Sequence, residues 1–264
     1  MSLVFAAITP HSPLLLPSIG KDAIKKIDHT RQALEKLSED LYISHPDIII
    51  IISPHGQQLA DAFAVNTATK YECDLKQFGD LATRINFNGE ILLPTRVHSA
   101  ACKNHDCHTV LINEPKLDHG AVVPLFYLAK HLPEVKIMPI SFSELDAKTH
   151  LEFGTMLKEQ IMDSNKRVAV IASGDLSHAL TNDAPAGFNK NGVVFDKKIQ
   201  ELLVSHNTAG LLALPKDMVS DAAECGLRSF LILMGILRDI NYRYESYAYE
   251  APFGIGYLTA NFIL

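Results

Sequence analysis

Residues 47–56 read Asp-Ile-Ile-Ile-Ile-Ile-Ser-Pro-His-Gly, and this stretch decides the fold class of the 264-residue chain. A continuous run of β-branched residues, bounded by polar residues and a proline, is typical of a strand that is buried on both faces. Such strands occur in parallel sheets that helices cover on both sides. The stretch therefore predicts a buried strand over Asp47–Ser53, with His55 in the loop that follows it.

The same pattern recurs along the chain and alternates with amphipathic stretches. Short apolar runs predict four more buried strands: Leu3–Ile8, Thr109–Asn113, Val135–Ser141 and Arg167–Ser173. Helical spacing of apolar residues predicts helices between them: Ala23–Ile43, Leu92–Lys103, Val122–His131 and Glu144–Met162. This alternation favours an α/β fold of three layers, α/β/α, with a mostly parallel central sheet that is mixed at its margins.

The remaining segments add to this framework. Alternating residues predict two strands of a side flap, Phe63–Thr69 and Leu81–Asn86, and the chain end predicts a hairpin of Tyr242–Tyr249 with Ile255–Ile263. Helices are expected over Asn189–His206 and Gly226–Ile240. Because no linker, repeat or low-complexity tract interrupts the pattern, residues 1–264 are expected to form a single domain.

Composition narrows the classes of function. Hydrophobic residues make up 47% and charged residues 20% of the chain, which is ordinary for a globular protein with a sizeable core. The net charge of −6 argues against a nucleic-acid partner. No apolar run is long enough to span a bilayer and no signal peptide is found, so we expect no membrane partner and a cytoplasmic location. Four cysteines in a chain this long do not indicate a disulfide framework.

Four histidines follow predicted strands, at the edge where parallel α/β sheets bind ligands. They stand in Thr-Pro-His-Ser-Pro, Ser-Pro-His-Gly, Asp-His-Gly and Gly-Asp-Leu-Ser-His, and are His11, His55, His119 and His178. A single histidine after a strand is usually a loop residue, but four at one edge indicate a metal site. The histidines of helical stretches are expected at the surface: His29, His45, His98, His131, His150 and His206.

Two imidazoles and one carboxylate leave three positions open on an octahedral ion, as in non-haem Fe(II) oxygenases. The candidate carboxylate is Glu224, which stands among small residues just before the apolar helix at 227–237. The alternative is that Glu224 only complements the dipole of that helix. A fourth histidine, His178, is then free to act as acid–base, because imidazole titrates near neutral pH. His119 is expected to hydrogen-bond the substrate or a ligand derived from oxygen.

A second cluster has the residue types of a zinc site: Cys102, His105, Cys107 and His108. Structural zinc sites usually join two such pairs from separate segments, and the sequence offers no second pair. An exposed loop with reduced cysteines is the favoured interpretation.

These motifs resemble the class III extradiol ring-cleavage dioxygenases, specifically their catalytic LigB-type subunit. The resemblance covers nearly the whole chain and is most specific over Asp118–Leu125. It implies a LigB-like fold in which His11, His55 and Glu224 bind Fe(II), with His178 as the acid–base residue and His119 in contact with substrate. Members of the family cleave the ring of a catechol-like diol with O2.

The Memo-like branch of the same superfamily, which includes the AmmeMemoRadiSam system, is resembled as closely. Its members place a cysteine before glycine where the dioxygenases place glutamate, and here Glu224 and Cys225 are adjacent. Glu224 is preferred because a hard carboxylate suits Fe(II).

The sequence therefore predicts an Fe(II)-dependent extradiol dioxygenase whose partners are a small aromatic substrate and O2. Zinc or another divalent ion in place of iron, and a homo-oligomer, are compatible with the sequence. Two alternatives stay open: a metal-binding protein on the same scaffold without ring cleavage, and a zinc or manganese hydrolase that uses a metal-bound water.

Overall fold

The computed structural model describes residues 2–103 and 107–264, which fold around one large central sheet. The described strands are β1 (Leu3–Thr9), β2 (Ile48–Ser53), β3 (Phe63–Asn66), β4 (Lys70–Cys73), β5 (Asn86–Gly89), β6 (Thr109–Ile112), β7 (Lys116–Leu117), β8 (Lys136–Ser141), β9 (Val168–Ser173), β10 (Arg243–Glu250) and β11 (Tyr257–Ile263). The described α-helices are α1 (Pro17–Gly20), α2 (Asp28–Ile43), α3 (Leu92–Ala101), α4 (His119–Leu128), α5 (Ala147–Met162), α6 (Lys190–Val204), α7 (Thr208–Leu212), α8 (Lys216–Ala222) and α9 (Leu227–Ile236).

Four parallel strands form the centre of the sheet, in the order β1, β9, β2 and β8. Their registers align the carboxyl ends, because Thr9 pairs with Ser173 and Ile52 pairs with Ala172. The hairpin of β10 and β11 adds to β1 in the antiparallel sense. The loops that leave β1, β2 and β9 therefore emerge side by side at one edge.

The isoleucine run of β2 explains how the layers hold together. Ile48, Ile50 and Ile52 pack on one face of the sheet, in a core shared with residues of α3, α5 and α9. Ile49 and Ile51 pack on the other face, in a core shared with α2 and α4. All five side chains are at most 1% exposed. Burying each contributes about 1.5–3 kcal/mol, so a continuous apolar strand is favoured only between two helical layers.

The predicted three-layer α/β/α fold with a mixed sheet is confirmed, but the side flap is wrong. Strands β3 and β5 both pair with β8 and extend the central sheet. The strand expected over Leu81–Asn86 is absent, and β5 begins only at its last residue. The cause is local, because the Asp80 carboxylate accepts the backbone N–H groups of Ala82 and Thr83 and forms a turn there.

Two further residues depart from the sequence analysis. His150, expected at the surface, is fully buried, and its ring lies 5.1 Å from that of Phe63. Its Nδ1 donates to the Asp146 carbonyl at 2.7 Å, and burial lowers its pKa to about 4. In the zinc-like cluster, Cys107 is buried in the core rather than exposed, and His105 lies outside the described residues.

Across residues 2–103 and 107–264, no helix combines the length and apolar character needed to cross a membrane. No disulfide bond joins the cysteines of the described chain.

Candidate metal centre

The loops after β1 and β2 bring two histidines into contact. His11 and His55 each stand two residues beyond the end of their strand, and their Nε2 atoms are 3.0 Å apart. His11 is 2% exposed, whereas His55 lies toward solvent. The aligned ends of the parallel strands thus produce the juxtaposition of His11 and His55 that the sequence predicts.

A serine at the end of β9 orients the ring of His11. The Ser173 hydroxyl donates to the Gly120 carbonyl at 2.6 Å, and its oxygen lies 2.9 Å from Nδ1 of His11. Because that hydroxyl hydrogen is already used, Nδ1 of His11 carries the donated hydrogen. The lone pair of Nε2 is then directed toward His55, which is the tautomer that a metal ligand requires.

His119 joins the cluster from the first turn of α4. This helix begins at His119, three residues earlier than predicted, because the Asp118 side chain caps it by accepting the N–H of Ala121. The His119 ring stacks on that of His55 with centroids 4.2 Å apart. Ser53 at the end of β2 donates to the Asp118 carboxylate at 2.5 Å, which ties the start of α4 to the loop of His55.

Cys225, rather than Glu224, lies beside the histidines. The Cys225 sulfur is 3.6 Å from Nε2 of His11, and the donor atoms of His11, His55 and Cys225 all lie within 4.8 Å of one another. The Glu224 carboxylate instead accepts the N–H of Leu227, the first residue of α9, at 2.6 Å. Burial raises the pKa of Glu224 to about 7. Glu224 thus adopts the helix-terminus role that the sequence left open as its alternative.

The loop after β9 contributes Asp175 and His178. Donor atoms of these two residues and of Cys225 also lie within 4.8 Å of one another. A close backbone contact makes this possible, since a Cβ on Gly174 would approach the Cα of Gly226 to 2.2 Å. Because Cys225 belongs to both groups of donor atoms, His178 lies close to the pair of His11 and His55. The buried Nδ1 of His178 has no hydrogen-bond partner among the described residues.

Asp175 is the site residue that the sequence analysis missed. Its carboxylate accepts the N–H of His11 at 3.0 Å, and it is 3% exposed. A positional signal was present, because Asp175 stands two residues after the end of β9, as His11 and His55 do after β1 and β2. Asp175 is thus the acidic counterpart of these two histidines at the equivalent position after a strand.

The donors fit a first-row divalent ion. Burial is the main cause that lowers the pKa of His11, His55 and His119, and for His119 the value falls to about 4, so these imidazoles are neutral and have free lone pairs at pH 7. At metal–ligand lengths of 2.0–2.1 Å for nitrogen and 2.3 Å for sulfur, two adjacent ligands of an octahedral or tetrahedral ion stand about 2.8–3.4 Å (N to N) and about 3.1–3.6 Å (N to S) apart. The observed 3.0 Å and 3.6 Å lie within these ranges.

Known proteins resemble this chain over nearly its full length. Residues 5–260 match the family model described as the catalytic LigB subunit of aromatic ring-opening dioxygenase. Protein CA_C1420 of Clostridium acetobutylicum is 32% identical over 267 residues, which cover 97% of this chain but 57% of that protein. The chain thus spans little more than half the length of this relative.

Two more distant similarities accompany these. The alpha subunit of 2-aminophenol 1,6-dioxygenase from a Pseudomonas species is 25% identical over 248 residues, 90% of each chain. The crystal structure of the uncharacterized protein JW3007 from Escherichia coli K12 superposes with a TM-score of 0.65 at 16% identity and covers 98% of this chain and 99% of that one. The structural match reflects a shared fold.

Proposed function

Because this chain belongs to the family of catalytic LigB subunits of aromatic ring-opening dioxygenases, we propose that it is an Fe(II)-dependent extradiol dioxygenase for a catechol-like diol. The observation that carries the proposal is the convergence of His11, His55 and Cys225 within 4.8 Å at the carboxyl edge of the sheet. Both imidazole–metal and thiolate–metal bonds are usual for iron and zinc. The aromatic substrate and O2 are accordingly its proposed small-molecule partners.

The third ligand is a choice between two neighbours, and the geometry favours Cys225. Its sulfur faces His11, whereas the Glu224 carboxylate is engaged by the N–H of Leu227. Glu224 as an iron ligand stays a prediction, since a carboxylate would have to leave that hydrogen bond to bind the ion. When bound, the ion supplies Lewis acidity toward the diol and a centre for oxygen chemistry.

The histidines outside the ligand set are proposed to move protons and position the substrate. His178 accepts a proton from a hydroxyl oxygen of the diol and returns a proton to an oxygen atom as the ring opens. A positioned acid–base group of this kind contributes about 10²–10⁴ in rate. His119, whose ring stacks on that of His55, donates a hydrogen bond to a substrate oxygen.

The proposed substrate cleft opens beside His55. It has a volume of about 570 Å3 and extends from Ser53, His55 and Asp118 toward Lys76 and Lys116. Clefts of about 300–1,000 Å3 accommodate small organic ligands. A single aromatic ring with polar substituents fits both the volume and the mixed polar lining.

A second candidate function is metal binding without ring cleavage on the same scaffold. The position of Cys225 favours it, because the thiolate makes the donor set softer than two imidazoles and a carboxylate. This candidate shares the metal ligands with the first but requires neither diol nor O2.

The test is oxygen uptake after anaerobic reconstitution with Fe(II). We expect the protein to bind one iron per chain and to consume O2 with at least one member of a panel of catechols and 2-aminophenols, with a ring-opened product seen by absorbance and mass spectrometry. His11→Ala is the control and should lose both iron and uptake. Stoichiometric iron without uptake across the panel would favour the second candidate, and chelator-sensitive ester or amide hydrolysis without O2 would favour a hydrolase.

A further inference from the structure

The carboxylate of Asp175 is buried in the wall of the candidate metal centre with only one of its oxygens satisfied. Its Oδ1 accepts the backbone N–H of His11 at 3.0 Å. Its Oδ2 lies 3.6 Å from Nε2 of His11, and no hydrogen bond from the described residues reaches it. The side chain is 4% exposed, so bulk water reaches only a small part of it.

Such a carboxylate is costly unless a cation accompanies it. Removing an ionised carboxylate from water costs several kcal/mol, and proteins offset this by pairing the charge, by coordinating a metal or by keeping the group protonated until a cation binds. Within the described residues, Asp175 has no ion pair with lysine or arginine. Its side-chain neighbours include the rings of His11 and His178, the Cys225 thiol and the Tyr257 hydroxyl. The surroundings of Asp175 thus lack a permanent positive charge.

Building on the proposed metal site, we propose that Asp175 is a further ligand of the same ion, bound through Oδ2. One carboxylate oxygen of Asp175 lies within 4.8 Å of the donor atoms of Cys225 and His178. Its Oδ2 lies 3.6 Å from the ligand nitrogen of His11. The N–H of His11 fixes Oδ1 and so leaves Oδ2 to face the cluster. One carboxylate and one thiolate neutralise a divalent ion, which two imidazoles and a thiolate alone do not.

The test compares metal affinity in Asp175→Asn and wild type, each as the full chain and free of metal at the start. The amide keeps an acceptor for the N–H of His11 but removes the charge and the ligand oxygen. Affinities for Fe(II), without oxygen, and for Co(II) are measured by competition with a chelator. We expect the metal affinity of Asp175→Asn to be more than 100-fold lower than that of wild type. Removing a group that only hydrogen-bonds to a ligand lowers metal affinity by about 10–100-fold, so a larger loss indicates a ligand.

Two further readouts separate a ligand from a structural residue. Without metal, Asp175→Asn should unfold at the same temperature as metal-free wild type or higher, because a buried charge is gone. With Co(II), its visible d–d bands should change while the sulfur-to-cobalt absorption of Cys225 persists. The smaller variant Asp175→Ser, which cannot overfill the site, should show the same loss of affinity.

Glu90→Gln provides the matched control. Glu90 is another carboxylate with 5% exposure, and it accepts the N–H groups of Leu92 and Leu93 just before α3. It follows β5, which pairs with the start of β8, so it lies at the opposite edge of the sheet from the cluster. We expect this variant to bind both ions like wild type.

An affinity loss below 100-fold with unchanged cobalt bands in both Asp175 variants would overturn the proposal, and so would a second ion bound per chain. All these measurements concern binding alone. Absence of oxygen uptake with every diol would therefore contradict the proposed function without affecting the assignment of Asp175.

Discussion

Cys225 and Glu224 are neighbours in sequence, yet the structure gives them different surroundings. Ala223, with a φ of 49°, ends α8 in the left-handed region and turns the chain before the two residues. Cys225 then lies against Asp175, whose N–H is 3.4 Å from its sulfur, while Glu224 meets the start of α9. The identity of the third ligand therefore depends on one turn of the backbone.

Substituting Cys225 and Glu224 one at a time is expected to identify that ligand. Cys225→Ser keeps the size of the side chain but replaces the thiolate by a poor ligand, so iron affinity should fall by more than about 100-fold, beyond the effect of losing a group outside the ligand set. Glu224→Gln keeps an acceptor for the N–H of Leu227 and should retain the iron. Iron content after anaerobic reconstitution and gel filtration measures both, and the reverse pattern would establish Glu224 as the ligand.

His178 is expected to affect turnover rather than metal content. His178→Ala should bind iron and catechol like wild type, yet turn over about 10²–10⁴-fold more slowly, equivalent to about 3–5 kcal/mol of barrier. Single-turnover kinetics on the diol that gives the highest rate for wild type measure the effect. If His178→Ala loses as much iron as His11→Ala, His178 is a ligand and not an acid–base residue. If its turnover is unchanged, His119 is the next candidate for the acid–base residue.

The sequence predicts part of this site because of a regular feature of parallel sheets. His11 and His55 could be paired from sequence, since each follows a buried strand by the same number of residues. Asp175 stands at the same distance from the end of β9, but it is not a histidine and was therefore not predicted. The sequence favours Glu224 over Cys225 only through the hardness of a carboxylate, because no periodic pattern covers the turn at Ala223 and so none indicates which of the two side chains faces the histidines.

At the scale of elements, helix α6 is hydrogen-bonded to the loop that carries His178. The buried Asp196 of this helix accepts the N–H of Ser177 at 2.8 Å and the hydroxyl of Tyr249 at 2.7 Å. The Ser177 hydroxyl in turn donates to the carbonyl of Ala222, at the end of α8. One carboxylate thus holds together α6, β10 and the two loops of the candidate metal centre.

This arrangement predicts how stability depends on pH. Burial raises the pKa of Asp196 to about 6, whereas an unfolded aspartate titrates near 3.9. The folded state therefore holds the proton more tightly, and its stabilising effect is complete below about pH 4 and lost as pH rises through about 6. The full loss is about 3 kcal/mol, at 1.36 kcal/mol per pKa unit.

Asp196→Asn removes this titration, and its amide oxygen still accepts the N–H of Ser177. Its NH2 group replaces the oxygen that accepts the Tyr249 hydroxyl, so the Tyr249 oxygen becomes the acceptor of that hydrogen bond. The free energy of unfolding of the variant relative to wild type should therefore rise by up to about 3 kcal/mol between pH 4 and pH 6.5. Urea denaturation at several pH values, followed by circular dichroism, measures the difference. A difference that does not change with pH would mean that Asp196 is not the group responsible.

The elements that the sequence predicts well are those that helices cover on both sides. The strands β1, β2, β8 and β9 were found within two residues because their apolar runs are long and bounded by polar residues or proline. The short strands β4 and β7 were missed, since they alternate charged with apolar residues over only four and two positions and contain no apolar run. The start of α4 was misplaced because the apolar spacing begins at Val122, three residues after the first helical residue, His119.

At the scale of the whole molecule, the two ends of the described chain meet in the sheet. Strand β11 pairs with β1, and β1 pairs with β9, so the last strand is hydrogen-bonded to the first. The two hydrophobic cores lie on opposite faces of the same strands and share alternate residues of β2. Neither core can lose its order without exposing strands on which the other depends.

That a single domain spans residues 1–264 is a prediction, and this topology implies that it should unfold as one cooperative unit. The calorimetric enthalpy should equal the van't Hoff enthalpy, at about 185 kcal/mol near 60 °C on a scale of about 0.7 kcal/mol per residue. Because the chain has eight tyrosines and no tryptophan, tyrosine fluorescence and far-ultraviolet circular dichroism provide two independent probes that should change together. Bound metal should raise the midpoint but leave the transition single, since the proposed ligands lie in loops that meet at one edge of a single sheet. Two separate transitions, or a calorimetric enthalpy well above the van't Hoff value, would instead show that the two helical layers unfold independently.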